Sequence, residues 1–315
     1  MPASGRLIGP HLQVHQGLLK AADRARNIGA TAIQVFTDNP AAWRRRRAPP
    51  DELAEFRSRL AAGGIRSIAI HAPYLVNLCS SDDLFWERSV ATMAGELTVG
   101  REYGAQFVVM HVGSHRGEER ATAIQRLVKG LWAVVGQVEP DAPRLVLENS
   151  AGMGDGIGSS VEDLADILNA AQTAGVPLDR LGVCLDTAHL WGAGYDVGSS
   201  SWLGWFSERA ERLLGRDNVV MLHLNDSRAD LGSRADRHEH IGAGKMGRAG
   251  IRELLNHPWL GALPTFLETP GMDAGYDAVN LERARMLAAG DALPDLPPDA
   301  FTKGRSGARR GPAAA

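Results

Sequence analysis

The strongest constraint on the fold is a regular alternation of short apolar runs with longer amphipathic stretches. Runs such as Phe107-Val108-Val109-Met110 are apolar at every position, which is typical of strands buried on both faces of a parallel sheet. Eight short runs rich in apolar residues each precede a stretch of helical length. This order predicts an α/β fold, a single (β/α)₈ TIM barrel with its active site at the C-terminal ends of the strands.

The predicted elements cover most of the chain. The strands are predicted at residues 7–9, 32–37, 67–71, 106–111, 144–148, 181–186, 219–225 and 265–268. The helices are predicted at 18–28, 51–62, 84–103, 120–138, 161–174, 205–214, 248–255 and 276–289. An open, doubly wound sheet is the alternative. The glycine-rich segment 152–158 does not match G-x-G-x-x-G and lies halfway along the chain, so it indicates a long loop rather than a dinucleotide site.

The pattern predicts one domain and a tail. Residues 1–290 form the predicted catalytic barrel, and residues 291–315, rich in Pro, Gly, Ala and Arg, are expected to be a disordered C-terminal tail. No apolar run approaches the ~20 residues of a membrane span. The first six residues are too short and polar for a signal peptide. We therefore expect a cytoplasmic protein, and nothing in the sequence calls for an obligate protein partner, so we expect a monomer.

Composition limits the kinds of site that the chain can hold. Two cysteines, Cys79 and Cys184, provide neither a disulfide framework nor a cysteine-rich zinc site. The net charge of −3 excludes a broadly basic surface for nucleic acid. One local exception is the run of Arg44, Arg45, Arg46 and Arg47, for which a solvated loop is the simpler interpretation and a phosphate contact the functional one.

Six of the eight predicted strands carry a possible metal ligand at or near their C-terminal end. Parallel strands of a barrel point the same way, so these side chains converge on one mouth. A single histidine in an apolar strand is usually a hydrogen-bonded core residue, and buried carboxylates are rare unless paired or metal-bound. One shared site explains all six better than six separate causes. The residues are His71, His111, Glu148, Asp186, His223 and Glu268.

Three further donors follow the strands. His189 lies three residues after Asp186, and Asp236 and His238 lie two residues apart on one side of an extended segment. Taken alone, the last pair would indicate an ordinary polar loop. Nine candidates exceed the four to six ligands of one ion and fit two or three ions with a bridging carboxylate. Nitrogen and oxygen donors without cysteine favour zinc or manganese.

These motifs resemble the signatures of the endonuclease IV family of AP endonucleases, within the xylose-isomerase-like TIM barrels. The resemblance runs from about residue 7 to residue 289 and includes all nine ligand positions. The matching segments are residues 9–11, 36–39, 71–77, 182–189, 223–226 and 236–238.

The resemblance implies a reaction, a cofactor and a ligand set. It implies about three Zn²⁺ ions: one held by His71, His111 and Glu148; a second by Glu148, Asp186, His223 and Glu268; a third by His189, Asp236 and His238. It implies hydrolysis of the phosphodiester 5′ to an abasic site in duplex DNA during base excision repair. The products would be a 3′-hydroxyl and a 5′-deoxyribose phosphate. Glu148 and Glu268 would be the catalytic residues.

The sequence departs from the family pattern mainly in regions implied to contact DNA. The loop after the second strand has Ala41 and Ala42 where relatives carry polar or basic side chains that push into the stack, and the arginine run follows at once. The usual lysine after the seventh strand is Arg228, and the usual Gly-Glu-Gly segment has Ala243 in place of its carboxylate. Tyr74 and Leu75, which resemble the other inserting pair, are present; ordinary strand-end packing would also explain them.

Two other functions remain open at this point. A sugar isomerase or epimerase of the xylose-isomerase kind, with one or two divalent metals, would explain Glu148, Asp186, His223 and Glu268. It would not need the other five donors. A barrel that only binds damaged DNA would use Tyr74 and the arginine run, but would not need an open metal cluster.

Overall fold

The structure, a computed structural model, describes residues 5–43 and 50–302. Eight strands form one closed barrel in which every neighbouring pair is parallel and β1 closes against β10. The predicted barrel is confirmed, and closure rules out the open sheet. The barrel strands are β1 Ile8–Leu12, β2 Ala32–Val35, β3 Ser67–His71, β4 Phe107–His111, β5 Arg144–Glu148, β6 Leu181–Asp186, β7 Val219–His223 and β10 Thr265–Leu267.

Helices alternate with the strands. Among the described residues they are α1 Leu18–Asn27, α2 Leu53–Ala62, α3 Asp83–Tyr103, α4 Arg120–Val135, α5 Val161–Thr173, α6 Thr187–Ala193, α7 Ser200–Leu214, α8 Gly247–Asn256 and α9 Tyr276–Ala289. Most ends agree with the prediction within three residues. Helix α7 begins five residues before the predicted Trp205: its first turn is anchored by the buried Leu203 and by Trp202, which stacks on Phe206, although Ser200 and Ser201 are exposed. None of the described helices is both long and apolar enough to cross a membrane.

The interior of the barrel is filled by small and medium side chains. Ala32, Ala69, Val109 and Val146 point inwards from successive strands and form a compact buried cluster with Phe266. The larger apolar cluster lies between the strands and the helices. Cys79 and Cys184 are both buried and unpaired. The ligand candidates therefore stand on a filled, rigid base rather than over an open pore.

Two short elements at the C-terminal mouth were not predicted. Helix α6 follows β6 directly, and a hairpin joins β8 Asp226–Ser227 to β9 His238–Glu239. The buried Asp226 carboxylate accepts hydrogen bonds from the backbone N–H groups of Gly244 and Met246. A Cβ at Gly244 would lie 2.5 Å from that carboxylate, so only glycine fits there. This loop holds the hairpin, and with it His238, against the barrel.

The chain stays in contact with the barrel beyond residue 290. Leu293 and Ala300 are buried. The backbone oxygen of Ala300 accepts a hydrogen bond of 2.9 Å from His240, and that of Pro294 accepts one of 2.8 Å from Arg283. The predicted boundary at residue 290 is therefore too early: the packed part extends to residue 302, and residues 303–315 lie outside the described residues. A segment held by a few anchoring contacts shows no periodicity, so its sequence pattern resembled that of a disordered tail.

Candidate metal centre

The nine predicted ligands converge at the C-terminal mouth of the barrel. Most of them fall into three groups in which donor atoms lie within 4.8 Å of one another. The first group is His71, His111 and Glu148; the second is Glu148, Asp186, His223 and Glu268; the third is Asp186, His189 and His238. Glu148 joins the first group to the second, and Asp186 joins the second to the third. The three groups thus form one continuous cluster.

Glu148 lies at the centre of the cluster and is fully buried. Its Oε2 lies 3.5 Å from His71 Nε2 and 3.3 Å from His111 Nε2, yet has no hydrogen-bond partner among the described residues. Its Oε1 lies 2.9 Å from Nδ1 of His223. Two ligands of one tetrahedral zinc, each about 2.0 Å from the ion, are about 3.3 Å apart. The two spacings at Oε2 therefore fit a shared ion better than hydrogen bonds, whereas the contact at Oε1 has the length of a hydrogen bond.

The charge balance of the cluster keeps Glu148 ionised. Burial alone would raise the pKa of its carboxyl, but His223 and His111 outweigh burial and hold the pKa well below its usual value. A carboxylate without its proton is the form that binds a metal ion.

Asp236 adjoins the third group. It faces two imidazoles, with Oδ2 3.3 Å from His189 Nε2 and Oδ1 3.2 Å from His238 Nε2. The His238 nitrogen is buried and has no hydrogen-bond partner in the described part of the chain. The Asp236 side chain is 41 % exposed, so this end of the cluster is open to solvent. The resemblance assigned Asp236 to this position, and the geometry adds Asp186, whose Oδ2 is 3.6 Å from His238.

Three of the histidines are oriented by backbone carbonyls. In each, Nδ1–H donates to a carbonyl oxygen and leaves Nε2 facing the cluster, as is usual for imidazoles that bind metal. The pairs are His71 with Ala72 at 2.7 Å, His189 with Asn149 at 2.9 Å and His238 with Glu268 at 2.9 Å. His223 is the reverse case, because its Nε2 donates to Gln34 and its Nδ1 faces the carboxylates.

Comparison with known proteins decides between the families that share this fold. A family model described as Xylose isomerase-like TIM barrel matches residues 22–288. A protein from Halothermothrix orenii named Probable endonuclease 4 is 36 % identical over 279 residues, which are 88 % of this chain and 99 % of that protein. Endonuclease IV from Thermus thermophilus superimposes with a TM-score of 0.77 at 35 % identity, covering 90 % of this chain and 99 % of that one. The chain belongs to the endonuclease IV family.

Sugar-modifying barrels share the architecture with this endonuclease IV family member. A structure titled L-ribulose 3-epimerase superimposes with a TM-score of 0.64 at 16 % identity, covering 91 % of this chain and 93 % of that one. A sequence identity of 16 % shows only that the two proteins share a fold.

Sequence reasoning missed several residues that support the ligands. Asn225 donates to Asp186 Oδ2 at 2.7 Å and accepts from the backbone N–H of Glu268 at 2.8 Å. Asn149 accepts from the backbone N–H of Asp186 at 2.6 Å. Both asparagines follow a ligand within two residues, which is the signal that would have found them. Gln34, on β2, has no such neighbour in sequence.

The residues predicted to contact DNA have different surroundings. Tyr74 is 60 % exposed at the mouth, with its ring centroid 5.6 Å from that of His71, and Leu75 beside it is half-buried. Arg228 is exposed after β8. Trp43, at the end of the alanine-containing loop, packs edge-on against Phe85 at 5.1 Å. The run of Arg44, Arg45, Arg46 and Arg47 lies outside the described residues, so its phosphate contacts stay a prediction.

Proposed function

We propose that this protein is a zinc-dependent AP endonuclease. It hydrolyses the phosphodiester 5′ to an abasic site in duplex DNA and leaves a 3′-hydroxyl and a 5′-deoxyribose phosphate, a step of base excision repair. The observation that carries the proposal is the joining of three donor groups through Glu148 and Asp186. A sugar isomerase or epimerase needs only the second group, and the other two would then have no role.

The residues present fit a cluster of about three zinc ions. The donors are imidazole nitrogens and carboxylate oxygens at spacings of 2.9–3.6 Å, and the unpartnered buried atoms of Glu148 and His238 point into the cluster. The first group would hold one ion, the second group another, and His189, Asp236 and His238 a third. When bound, zinc lowers the pKa of water towards ~7 and neutralises charge on a phosphodiester.

Glu148 and Glu268 are the proposed catalytic residues. The Glu268 side chain is 17 % exposed, whereas Glu148 and Asp186 are fully buried, so in the second group Glu268 is the carboxylate that a substrate can reach. Burial favours its neutral form, but His223 and His11 outweigh burial and keep the pKa of Glu268 low. Glu268 is therefore a charged acceptor beside the position of the scissile phosphate, able to orient the attacking water. Glu148 belongs to both the first and the second donor groups and so fixes the position of one relative to the other.

DNA recognition is expected to be local to the mouth. A net charge of −3 provides no general attraction to phosphate. Tyr74 places an exposed ring beside the first donor group, where it can stack on a base left without a partner opposite the lesion. Leu75 and Arg228 lie on the same face, and we propose them as an apolar contact and a phosphate contact. Monomeric state and cytoplasmic location stay predictions.

The proposal is tested with an end-labelled duplex that contains one tetrahydrofuran abasic analogue, which cannot be cleaved by β-elimination. Zinc-loaded protein is expected to cut 5′ to the analogue and to leave a 3′ end that a DNA polymerase extends. An intact duplex of the same sequence is the control. No cut with protein in excess over DNA, or a cut only 3′ to the analogue, would refute the proposal. Conversion of free sugars would favour the isomerase alternative.

A further inference from the structure

A buried glutamine on β2 contacts ligand candidates from two other strands. Gln34 is fully buried. Its Oε1 accepts a hydrogen bond of 2.9 Å from His223 Nε2. Its Nε2 donates to Glu268 Oε1 at 2.6 Å and to His11 Nδ1 at 3.0 Å. Both N–H groups and the carbonyl oxygen of one amide are thus engaged at the second donor group.

The contact to the amide oxygen determines the tautomer of His223. An amide oxygen only accepts hydrogen bonds, so Nε2 of His223 must carry a proton, and Nδ1 is the nitrogen left to bind a metal ion. That Nδ1 faces Glu148 Oε1 at 2.9 Å and Glu268 Oε2 at 3.5 Å. The opposite tautomer would place two acceptors against each other at Gln34 and would remove the ligating lone pair.

The contacts to the amide nitrogen position the Glu268 carboxylate. Oε1 of Glu268 is bound to Gln34, so Oε2 is the oxygen directed towards His223. His11 fixes which way the amide lies, because its Nδ1 accepts the second N–H. A rotated amide would direct its oxygen at the Glu268 carboxylate, and two acceptors would repel each other. The Gln34 side chain therefore orients both His223 and Glu268.

His223 is oriented by a side chain, whereas three other histidines of the cluster are oriented by the backbone. His71, His189 and His238 are oriented by backbone carbonyls, which a substitution does not remove. We propose that Gln34 is a positioning residue that fixes the His223 tautomer and the Glu268 carboxylate for the ion of the second group, with His11 holding the amide in place. This inference rests on the metal site of the proposed function.

The first test is zinc affinity in Gln34→Met, which keeps the approximate volume and removes every hydrogen bond of the amide. Loss of a supporting residue typically weakens metal binding by about 10–100-fold. We expect that loss for one ion of the cluster in a competition titration with a fluorescent chelator. Turnover per enzyme should fall with KM changed less than about twofold, because DNA contacts lie elsewhere.

The matched control is Gln106→Met, at the opposite end of the barrel, where the Gln106 side chain bonds to the backbone of Ile68 and Gly104. It should bind zinc like the parent. Parental affinity for every ion in a folded Gln34→Met protein would overturn the proposal.

The second test needs no variant and so does not depend on how Gln34→Met folds. Long-range ¹H–¹⁵N NMR of the zinc-loaded parent, labelled on histidine, should show His223 with its proton on Nε2 and with Nδ1 bound to metal. A proton on Nδ1 of His223 would overturn the proposal. The zinc titration and the NMR measurement use no DNA, so a protein that passes both but does not incise would refute the proposed function and leave this inference intact.

Discussion

The sharing of Glu148 between two donor groups leads to a prediction about metal content. Glu148→Gln keeps the shape of the side chain and removes the negative charge that faces His71, His111 and His223. Two of the three donor groups contain this residue. The zinc content should therefore fall from about three ions per chain to about one.

The predicted loss of two zinc ions also determines the expected loss of stability. An ion present at 100 times its Kd stabilises the folded state by about 2.7 kcal/mol. Loss of two ions therefore lowers the free energy of unfolding by about 5 kcal/mol, which corresponds to a fall in Tm of about 10 °C for a chain of this size. The measurements are elemental analysis after gel filtration in zinc buffer and differential scanning calorimetry of the same samples.

Two variants control this experiment. Asp236→Asn affects only the third group and should leave about two ions. Glu96→Gln makes the same change at another buried glutamate, whose carboxylate accepts from Thr37 and which belongs to none of the three donor groups, and should leave all three ions. A Glu148→Gln protein that retains three ions, or that loses all three while folded, would refute the bridging role.

Three further predictions concern catalysis, pH and DNA. Glu268→Gln should leave the fold intact and lower incision at least about 100-fold; near-parental turnover on an abasic duplex would make Glu268 structural. In the metal-free protein, Asp186 and Asp236 outweigh burial and raise the pKa of His238 to about 9. Its proton stabilises that state below the ordinary pKa of about 6.5, and this contribution is lost as the pH rises through about 9. Zinc must displace this proton and that of His189, whose pKa is also raised well above its usual value, so zinc affinity at the third group should rise at least about tenfold per pH unit up to about pH 9; a competition titration that is flat from about pH 7 to 9 contradicts this. Tyr74→Ala should weaken discrimination between abasic and intact duplex in fluorescence anisotropy without changing the salt dependence, since stacking releases no counterions; a changed salt slope would show a phosphate contact instead.

The sequence predicted the barrel and its ligands because both depend on local patterns. Each strand is a continuous apolar run, and His71, His111, Glu148, Asp186 and His223 end their strands, so topology alone brings them together. The loop residues His189, Asp236 and His238 were predicted because they follow strands on the same face, and the family resemblance then grouped the nine ligands by ion.

The remaining features depend on contacts that sequence spacing does not show. Gln34 lies 189 positions before His223 and 234 before Glu268, and a glutamine in an apolar strand gives no sign of its partners. The short helix α6 begins at the ligand motif itself, where Asp186 caps it by accepting from the backbone N–H of His189 at 2.8 Å. The packed segment up to residue 302 is held by Leu293 and Ala300 without any period.

The central claim, that nine side chains at the mouth of the barrel hold three zinc ions, is tested most directly by anomalous diffraction at the zinc edge from crystals of the zinc-loaded protein. The account predicts three peaks. One should lie about 2.0–2.2 Å from donor atoms of His71, His111 and Glu148, one at His223 and Glu268, and one at His189, Asp236 and His238. A single peak confined to the second group, with the other imidazoles hydrogen-bonded to protein or water, would contradict it.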